Sequence, residues 1–599
     1  MYQTFDVTTS PEQGPPRLKA LRAAMKTAQV DGFLVPRADA HQGEYVAPCD
    51  ERLAWLTGFT GSAGFAAVLA DRAGVFIDGR YRVQVRSQIA DVFTAVHWPE
   101  TQLADWLGEH LSHGAVVAFD PWLHTVKEID GLRDRLAPKG ITLLPHANLI
   151  DPIWDDRPTP PEAPFRAYPD DLAGETSADK RARLTKDHEA GATVLTLPDS
   201  IAWLLNIRGS DIERNPVPQA FALLMADGTV DLFARPGKAH GIADHLGPDV
   251  RVHHVDSLIA ALTELSGPVR IDPASCPVKI ADALEDARLT VTRAKDPCLL
   301  PKAIKNETEI AGARAAHLRD AAAMIRFLAW LDAEAPKGNL TEIDVVTQLE
   351  TFRRETNQLL DISFETISGA GAHGAIVHYR VSEDTNAPVK PGELLLVDSG
   401  GQYLDGTTDI TRTIAVGKPA DDQRMAFTRV LQGMIAISRA QFPKGVGGQH
   451  LDALARYPLW LAGMDYDHGT GHGVGAYLSV HEGPQGISRR SEVPLEAGMI
   501  LSNEPGYYRE GAFGIRLENL IVVEPAAKTG DNRQMHRFET LTYVPLDRHL
   551  IETGLLTRDE RAWVDRYHAE TLDKIGSSVE GAAKDWLIAA CAPLEEEIS

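Results

Sequence analysis

The sequence predicts an α/β (α+β) chain: two related αβ domains followed by a larger αβ domain that carries the chemistry. Three observations point there. Stretches with helical periodicity alternate with short apolar, strand-like runs. One ten-residue pattern occurs twice in the first half. Two proline-bearing interruptions divide the chain near residues 155 and 303. A chain of 599 residues allows three or four domains, at roughly 150 residues each. The interruptions select three, at 1–155, 156–302 and 303–599.

In the first domain a helical stretch leads to the apolar run GFLVP near residue 32, then LAWLTGFTGS (53–62), then a second apolar run, FAAVLA. Asp78, Arg80, Tyr81 and Arg82 in IDGRYRVQ form a polar cluster after a strand and read as a solvated turn. DPIWDDRPTPPEAPF (151–165) lacks backbone donors at its prolines, favours extended chain and marks the first boundary. The second domain repeats the first, with a helical stretch, TVLTLP near 193, IAWLLNIRGS (201–210) and FALLMA. The two decamers share Ala, Trp, Leu, Gly and Ser in register, which indicates a duplicated unit. In DPCLLPKAIKNETEI (296–310), Asn306 with Glu309 three residues on has the form of a capping box. A long helix is expected from there, with Ala321, Met324, Leu328 and Leu331 on one face.

Composition excludes several classes of function. With 60 Lys+Arg against 84 Asp+Glu the formal net charge is −24, which opposes broad binding to nucleic acid or an anionic membrane. The four cysteines, Cys49, Cys276, Cys298 and Cys591, are far apart and contain no C-x-x-C pair. That disfavours a zinc ribbon or a disulfide framework and suits a reducing, cytoplasmic setting. MYQTFDVTTSPEQGPPR lacks the pattern of a secretory signal, and no apolar run approaches the ~18 residues of a membrane span.

The third domain holds the chemistry. In ELLLVDSGGQYLDGTTDITRT (393–413), Asp398 ends a buried-strand run and Asp409 follows, with Asp405-Gly406 as a hairpin turn between them. Two such carboxylates facing one point need a cation or a shared proton. ILSNEPGYYREGAFGIRLEN (500–519) repeats the arrangement with Glu504 and Glu518, and Gly511 and Gly514 are expected in the intervening turn. DHGTGHGVGAYLSVHEGP (467–484) lies between the pairs and supplies His468, His472 and His481 among glycines. Position 485 is Gln, so H-E-x-x-H is absent. Four carboxylates with one or two imidazoles suit Mn²⁺, or Co²⁺, Fe²⁺ or Zn²⁺ in five- or six-coordinate form, and two such ions close together form a hydrolytic unit.

The order Asp398, Asp409, His472, Glu504, Glu518 resembles the pita-bread metallopeptidases. The contexts AIVHYR, HGTGHGVG, VHEGP and NEPGYY look most like the long, three-domain cytosolic form of the aminopeptidase P family. The resemblance implies two creatinase-like N-terminal domains before a pita-bread catalytic domain. It also implies two divalent metal ions, Mn²⁺ first, held by those five residues. Asp409 and His472 would serve mainly one metal site and Asp398 the other, with Asp409, Glu504 and Glu518 spanning or closing the pair. His378 matches the family's histidine near the scissile peptide that helps move protons. His481 matches the one contacting the scissile carbonyl, and His468 the one lining the proline pocket. Tyr508 and Arg516 also fall at matching, substrate-binding positions.

The implied reaction is hydrolysis of the N-terminal Xaa-Pro bond of peptides, with Glu504 taking the nucleophile's proton and His378 and Glu504 supplying one to the leaving nitrogen. The implied assembly is a homodimer, with neither nucleic acid nor membrane as partner. An Xaa-Pro dipeptidase (prolidase) with the same ligands is the alternative enzyme. Creatinase lacks the ligand set, and so do the metal-free binding modules built on this fold. FETLTYVPLD (538–547) reads as a strand, and RDERAWVDRYHAETLDKI (558–575) as an amphipathic helix with Trp563, Tyr567 and Leu572 in the core.

Overall fold

A computed structural model describes residues 1–186, 190–527, 530 and 532–594. The chain forms two compact units, one of Thr8–Leu299, the other of Met1–Val7 with Leu300–Ser599.

Two sheets of the same design make up the framework of Thr8–Leu299. Across the first sheet the strands run Thr94–His97, Ala73–Ile77, Phe65–Leu69, Gly32–Pro36, Val116–Phe119 and Thr142–Pro145. Across the second they run Val250–His254, Val230–Ala234, Phe221–Met225, Ala192–Leu195, Val269–Ile271 and Val291–Arg293. In both, the GFLVP or TVL strand pairs antiparallel with the next strand of its own sheet and parallel with a later one. The repeated decamers supply equivalent helices, Arg52–Thr57 and Pro198–Leu205. The duplication read from ten residues therefore extends to the order and direction of every strand in these two sheets.

The turn at 78–82 is not solvated as expected. The Asp78 carboxylate accepts from Arg80 N at 3.0 Å and pairs with its guanidinium at 2.7 Å. The Tyr81 ring is buried, its hydroxyl accepting from Ser62 N at 2.9 Å. Arg80 and Arg82 stay partly exposed, and only the tyrosine between them turns fully inward.

In the other unit, helix Glu307–Glu334 begins at Asn306 with both bonds of the capping box in place. Ala321, Met324, Leu328 and Leu331 face the main apolar core. Strand Leu394–Ser399 lies between Ile367–Ala370 and Ile410–Ala415, antiparallel to both. A larger sheet orders Gln441–Pro443, Met535–Thr540, Asn519–Pro525, Ile500–Asn503, Gly471–Gly473 and Glu482–Ile487.

The strand expected over 538–547 stops at Thr540. Leu541 N still donates to Leu520 O of the neighbouring strand at 2.9 Å, but from there to Leu546 the chain stays buried while bonding largely to side chains. Val544 O accepts from Arg412 Nη2 at 2.8 Å and from the Tyr567 hydroxyl at 2.9 Å, while Leu546 N donates to His568 Nε2 at 3.1 Å. Trp563 and Tyr567 stack at 5.2 Å in helix Arg558–Ile575 and are buried, and Leu572 packs against the same core. Among the described residues no helix is long and apolar enough to cross a membrane.

Candidate metal centre

Sheet geometry places the first carboxylate pair. Leu394–Val397 are fully buried, and Asp398 continues that strand opposite Thr411 of Ile410–Ala415. The reversal runs through a small hairpin that pairs Tyr403 with Gly406, so Asp409 returns beside Asp398. The second pair follows the same logic. Asn503 and Asn519 are the last partners of two antiparallel strands, and Glu504 and Glu518 are the residues just beyond them. The two pairs are joined across the sheets, because Glu518 N donates to Thr411 O at 3.1 Å and Thr411 Oγ1 donates to Glu518 Oε2 at 2.8 Å.

The chain between the glutamates forms a hairpin, Gly506–Arg509 against Phe513–Arg516. Gly511 is in the turn as expected, with φ +73°. Gly514 is not: it lies in the returning strand, where a Cβ would stand 1.7 Å from the Gly374 carbonyl oxygen. Close backbone approach, not turn conformation, demands the glycine there.

His472 sits in strand Gly471–Gly473. A Cβ on Gly471 would lie 2.0 Å from Ser502 O, so the glycines of HGTGHG let this strand lie against its neighbour. His472 N donates to Ser502 Oγ at 2.9 Å, and that hydroxyl donates to Glu504 Oε1 at 3.1 Å. His472 Nδ1 bonds the Gly473 carbonyl at 2.9 Å. A carbonyl only accepts, so Nδ1 carries the proton in that bond and Nε2 faces Asp409 and Glu504, each at 3.5 Å.

The five expected ligands therefore converge, and the His481 ring stands edge-on to His472 with centroids 4.4 Å apart. Ligand atoms lie within 4.8 Å of one another in each of three overlapping groups: Asp409, His472 and His481; His472, Glu504 and Glu518; Asp398, Asp409 and Glu518. Asp398 Oδ1, Asp409 Oδ1 and Glu518 Oε1 are buried without a hydrogen-bond donor. Burial, together with repulsion from neighbouring carboxylates, pushes Asp398 up to about 6 and raises Glu504 and Glu518, Glu518 well above its ordinary range. Burial alone would lower His472, but Asp409 and Glu504 carry it up to about 9. Orphaned buried carboxylate oxygens that repel one another fit hard divalent cations, whose charge offsets the repulsion and whose coordination uses those lone pairs.

The substrate-binding candidates form a chain leading away from the cluster. Arg516 Nη2 donates to Asp398 Oδ2 and Arg516 Nη1 to the Tyr508 hydroxyl, both at 2.6 Å. That hydroxyl meets His468 Nε2 at 2.8 Å. His378 occupies a half-buried turn after Gly371–Ala375 and is not a member of the ligand groups.

Sequence reasoning missed four supports. Thr411 and Ser502 orient the two glutamates. Arg412 is buried, donating to Glu518 O at 2.7 Å and to Asn519 Oδ1 at 2.8 Å. Glu482, next to His481, is buried against Lys302 at 3.1 Å and also pairs with Lys305. Thr411, Arg412 and Thr413 are consecutive polar residues in a strand with apolar flanks, and that run was the available signal.

Residues 311–525 match the metallopeptidase family M24, and 534–594 the C-terminal region of that family. Residues 17–153 and 156–309 each match a creatinase/prolidase N-terminal domain. A probable Xaa-Pro aminopeptidase P from Laccaria bicolor is 40% identical, covering 96% of this chain and 93% of the relative. One from Aspergillus niger is also 40% identical, covering 97% and 99%. The crystal structure of an X-prolyl aminopeptidase from Caenorhabditis elegans, described as a cytosolic enzyme with a di-nuclear active site, superposes with a TM-score of 0.93. Its sequence is 32% identical over 97% of this chain and 99% of its own.

Proposed function

Because the chain belongs to the metallopeptidase family M24, with two creatinase-like domains before a pita-bread domain, we propose that it is an Xaa-Pro aminopeptidase. It is a metal-dependent hydrolase that releases the first residue of peptides with proline second. The observation that carries this is the convergence of Asp398, Asp409, His472, Glu504 and Glu518, with three buried oxygens lacking donors, in a chain whose close relatives bear that name. The prolidase alternative is disfavoured by the same relatives, which match over nearly the whole chain. The organisation we assign is 1–155, 156–302 and 303–599, with Met1–Val7 of the first range joining the unit of the last.

Two divalent cations, Mn²⁺ in our assignment, would be held by those five residues and when bound acidify a water and polarise the scissile carbonyl. The rest is work for side chains. Glu504, oriented by the Ser502 hydroxyl at 3.1 Å, takes the attacking water's proton. His481, its ring edge-on to His472 at 4.4 Å, donates to the carbonyl oxygen as negative charge develops there. A prolyl nitrogen carries no hydrogen and must be protonated as its bond breaks, a task for His378 and Glu504. His468 and Tyr508 frame the proline ring, and Arg516 fixes both Tyr508 and Asp398. We also assign a cytosolic location and a homodimer.

The test uses three peptides: an Xaa-Pro-Xaa tripeptide, its Xaa-Ala-Xaa counterpart and an Xaa-Pro dipeptide. The first is cleaved best, chelator abolishes turnover, and Mn²⁺ restores it more fully than Zn²⁺ or Co²⁺. Preference for the dipeptide makes the chain a prolidase. Full activity after exhaustive metal removal overturns the metal assignment.

A further inference from the structure

Residues Met1–Val7 belong to the same compact unit as Leu300–Ser599. Their backbone is held along its length. Tyr2 N and Gln3 N donate to the two oxygens of the buried Glu350 carboxylate at 2.7 and 3.2 Å. The Gln3 side-chain amide donates to Thr366 O at 3.2 Å and accepts from Thr366 N at 2.8 Å. Phe5 O accepts from Glu383 N at 2.9 Å, and the Phe5 ring packs against the cluster of Ile367, Tyr379, Val381 and Leu396. Arg380 reaches across the same segment, donating to Asp6 O at 2.8 Å and Thr4 O at 2.9 Å.

What this segment grips is the loop that bears His378. The loop is also gripped by Glu342, a buried carboxylate that accepts from Ala370 N at 2.7 Å, and from His373 Nδ1, the Tyr379 hydroxyl and Ala387 N, each at 2.9 Å. Glu342 and Glu350 lie on one helix, Glu342–Arg354. The turn at 376–380 is therefore held both by that helix and by residues 2–6. A histidine that must deliver a proton to a departing nitrogen gains rate only if its ring is held in place.

Resting on the reading of His378 as a proton-moving group, we propose that residues 1–7 are a positioning strap for catalysis, with Arg380 as the residue that fastens the His378 turn to it. The strap touches no substrate and acts through His378.

Four full-length, Mn²⁺-loaded variants test this on an Xaa-Pro-Xaa tripeptide: Arg380→Met, Arg380→Lys, His378→Ala and the double variant Arg380→Met/His378→Ala. Arg380→Met lowers kcat about tenfold with KM unchanged, and Arg380→Lys recovers most of it. In the His378→Ala background, Arg380→Met costs less than a further twofold, because there is nothing left to position. Phe5→Ala, which loosens the strap from its apolar side, repeats the pattern should Arg380→Met fold poorly. Wild-type kcat in both Arg380→Met and Phe5→Ala overturns the strap, as does an equal loss with and without His378. Full turnover by His378→Ala is a separate result: it removes the role of His378, and the strap with it, while the metal centre stands.

Discussion

Glu504 is surrounded by groups that a neutral isostere would partly preserve. It receives the Ser502 hydroxyl at 3.1 Å and lies 3.5 Å from His472 Nε2. In Glu504→Gln the side-chain oxygen still accepts from Ser502, yet the group no longer takes a proton. Turnover should fall by about 10³ or more, within the range for loss of a general base that also holds metal. The unfolding temperature of the metal-free variant should match or exceed wild type, because one of four mutually repelling buried carboxylates has been neutralised. His472→Ala should lose turnover to a similar degree. Retained cleavage of an Xaa-Pro-Xaa peptide by either folded variant would sink the assignment. The five proposed ligands were legible in sequence because Asp398 ends an apolar run, Glu518 interrupts one, His472 follows a glycine, and the order of all five resembles that of a known family. Thr411, Ser502 and Arg412 were not, because a hydroxyl or guanidinium reads as an ordinary strand residue until its partner across the sheet is known.

At the scale of elements, the stretch after Thr540 shows where periodicity misleads. Its apolar residues are buried as a strand's would be, but at Val544 and Leu546 its backbone is satisfied by Arg412, Tyr567 and His568, contacts separated by more than twenty residues in sequence. His568, on helix Arg558–Ile575, accepts from Leu546 N through Nε2 and is therefore neutral. Burial, aided by the nearby Arg548 and Arg412, lowers its imidazole from the ordinary value to about 3. Its folded pKa lies below the unfolded one, so the unfolded chain binds a proton here that the folded chain refuses. The stabilisation from a neutral His568 is complete above about pH 6.5 and is lost as pH falls toward the folded value, by up to ~1.4 kcal/mol per unit. His568→Gln removes that dependence. The melting-temperature advantage of wild type over the variant should shrink steadily from pH 7 to pH 5 at saturating Mn²⁺. Parallel melting curves across that range would show that the ring is not the group being titrated.

At the scale of the whole molecule, the duplicated αβ domains were legible because one decamer recurred in register and strand order followed it. A surface feature was not legible. Among the described residues, Leu454, Tyr457, Trp460 and Leu461 are large apolar side chains left 42–64% exposed within about two turns at the end of helix Gly448–Trp460. Their spacing puts them on one side of that helix, and such clustering marks an association surface more often than chance exposure does. The occupant we assign is a second copy of the chain. Each copy carries a formal charge of −24, so pairing would have to overcome repulsion that salt screens over about 10 Å at 0.1 M. An apolar contact opposed by like charge should tighten as salt rises, the reverse of an interface built on ion pairs. Light scattering at micromolar concentration should therefore give the mass of a dimer, with dissociation favoured at low salt. Tyr457→Glu/Leu461→Glu should give a folded monomer, since both side chains are exposed and their replacement costs the fold little. A dimer that survives both changes places the interface elsewhere, and a wild-type chain that remains monomeric at 0.5 M salt removes the dimer altogether.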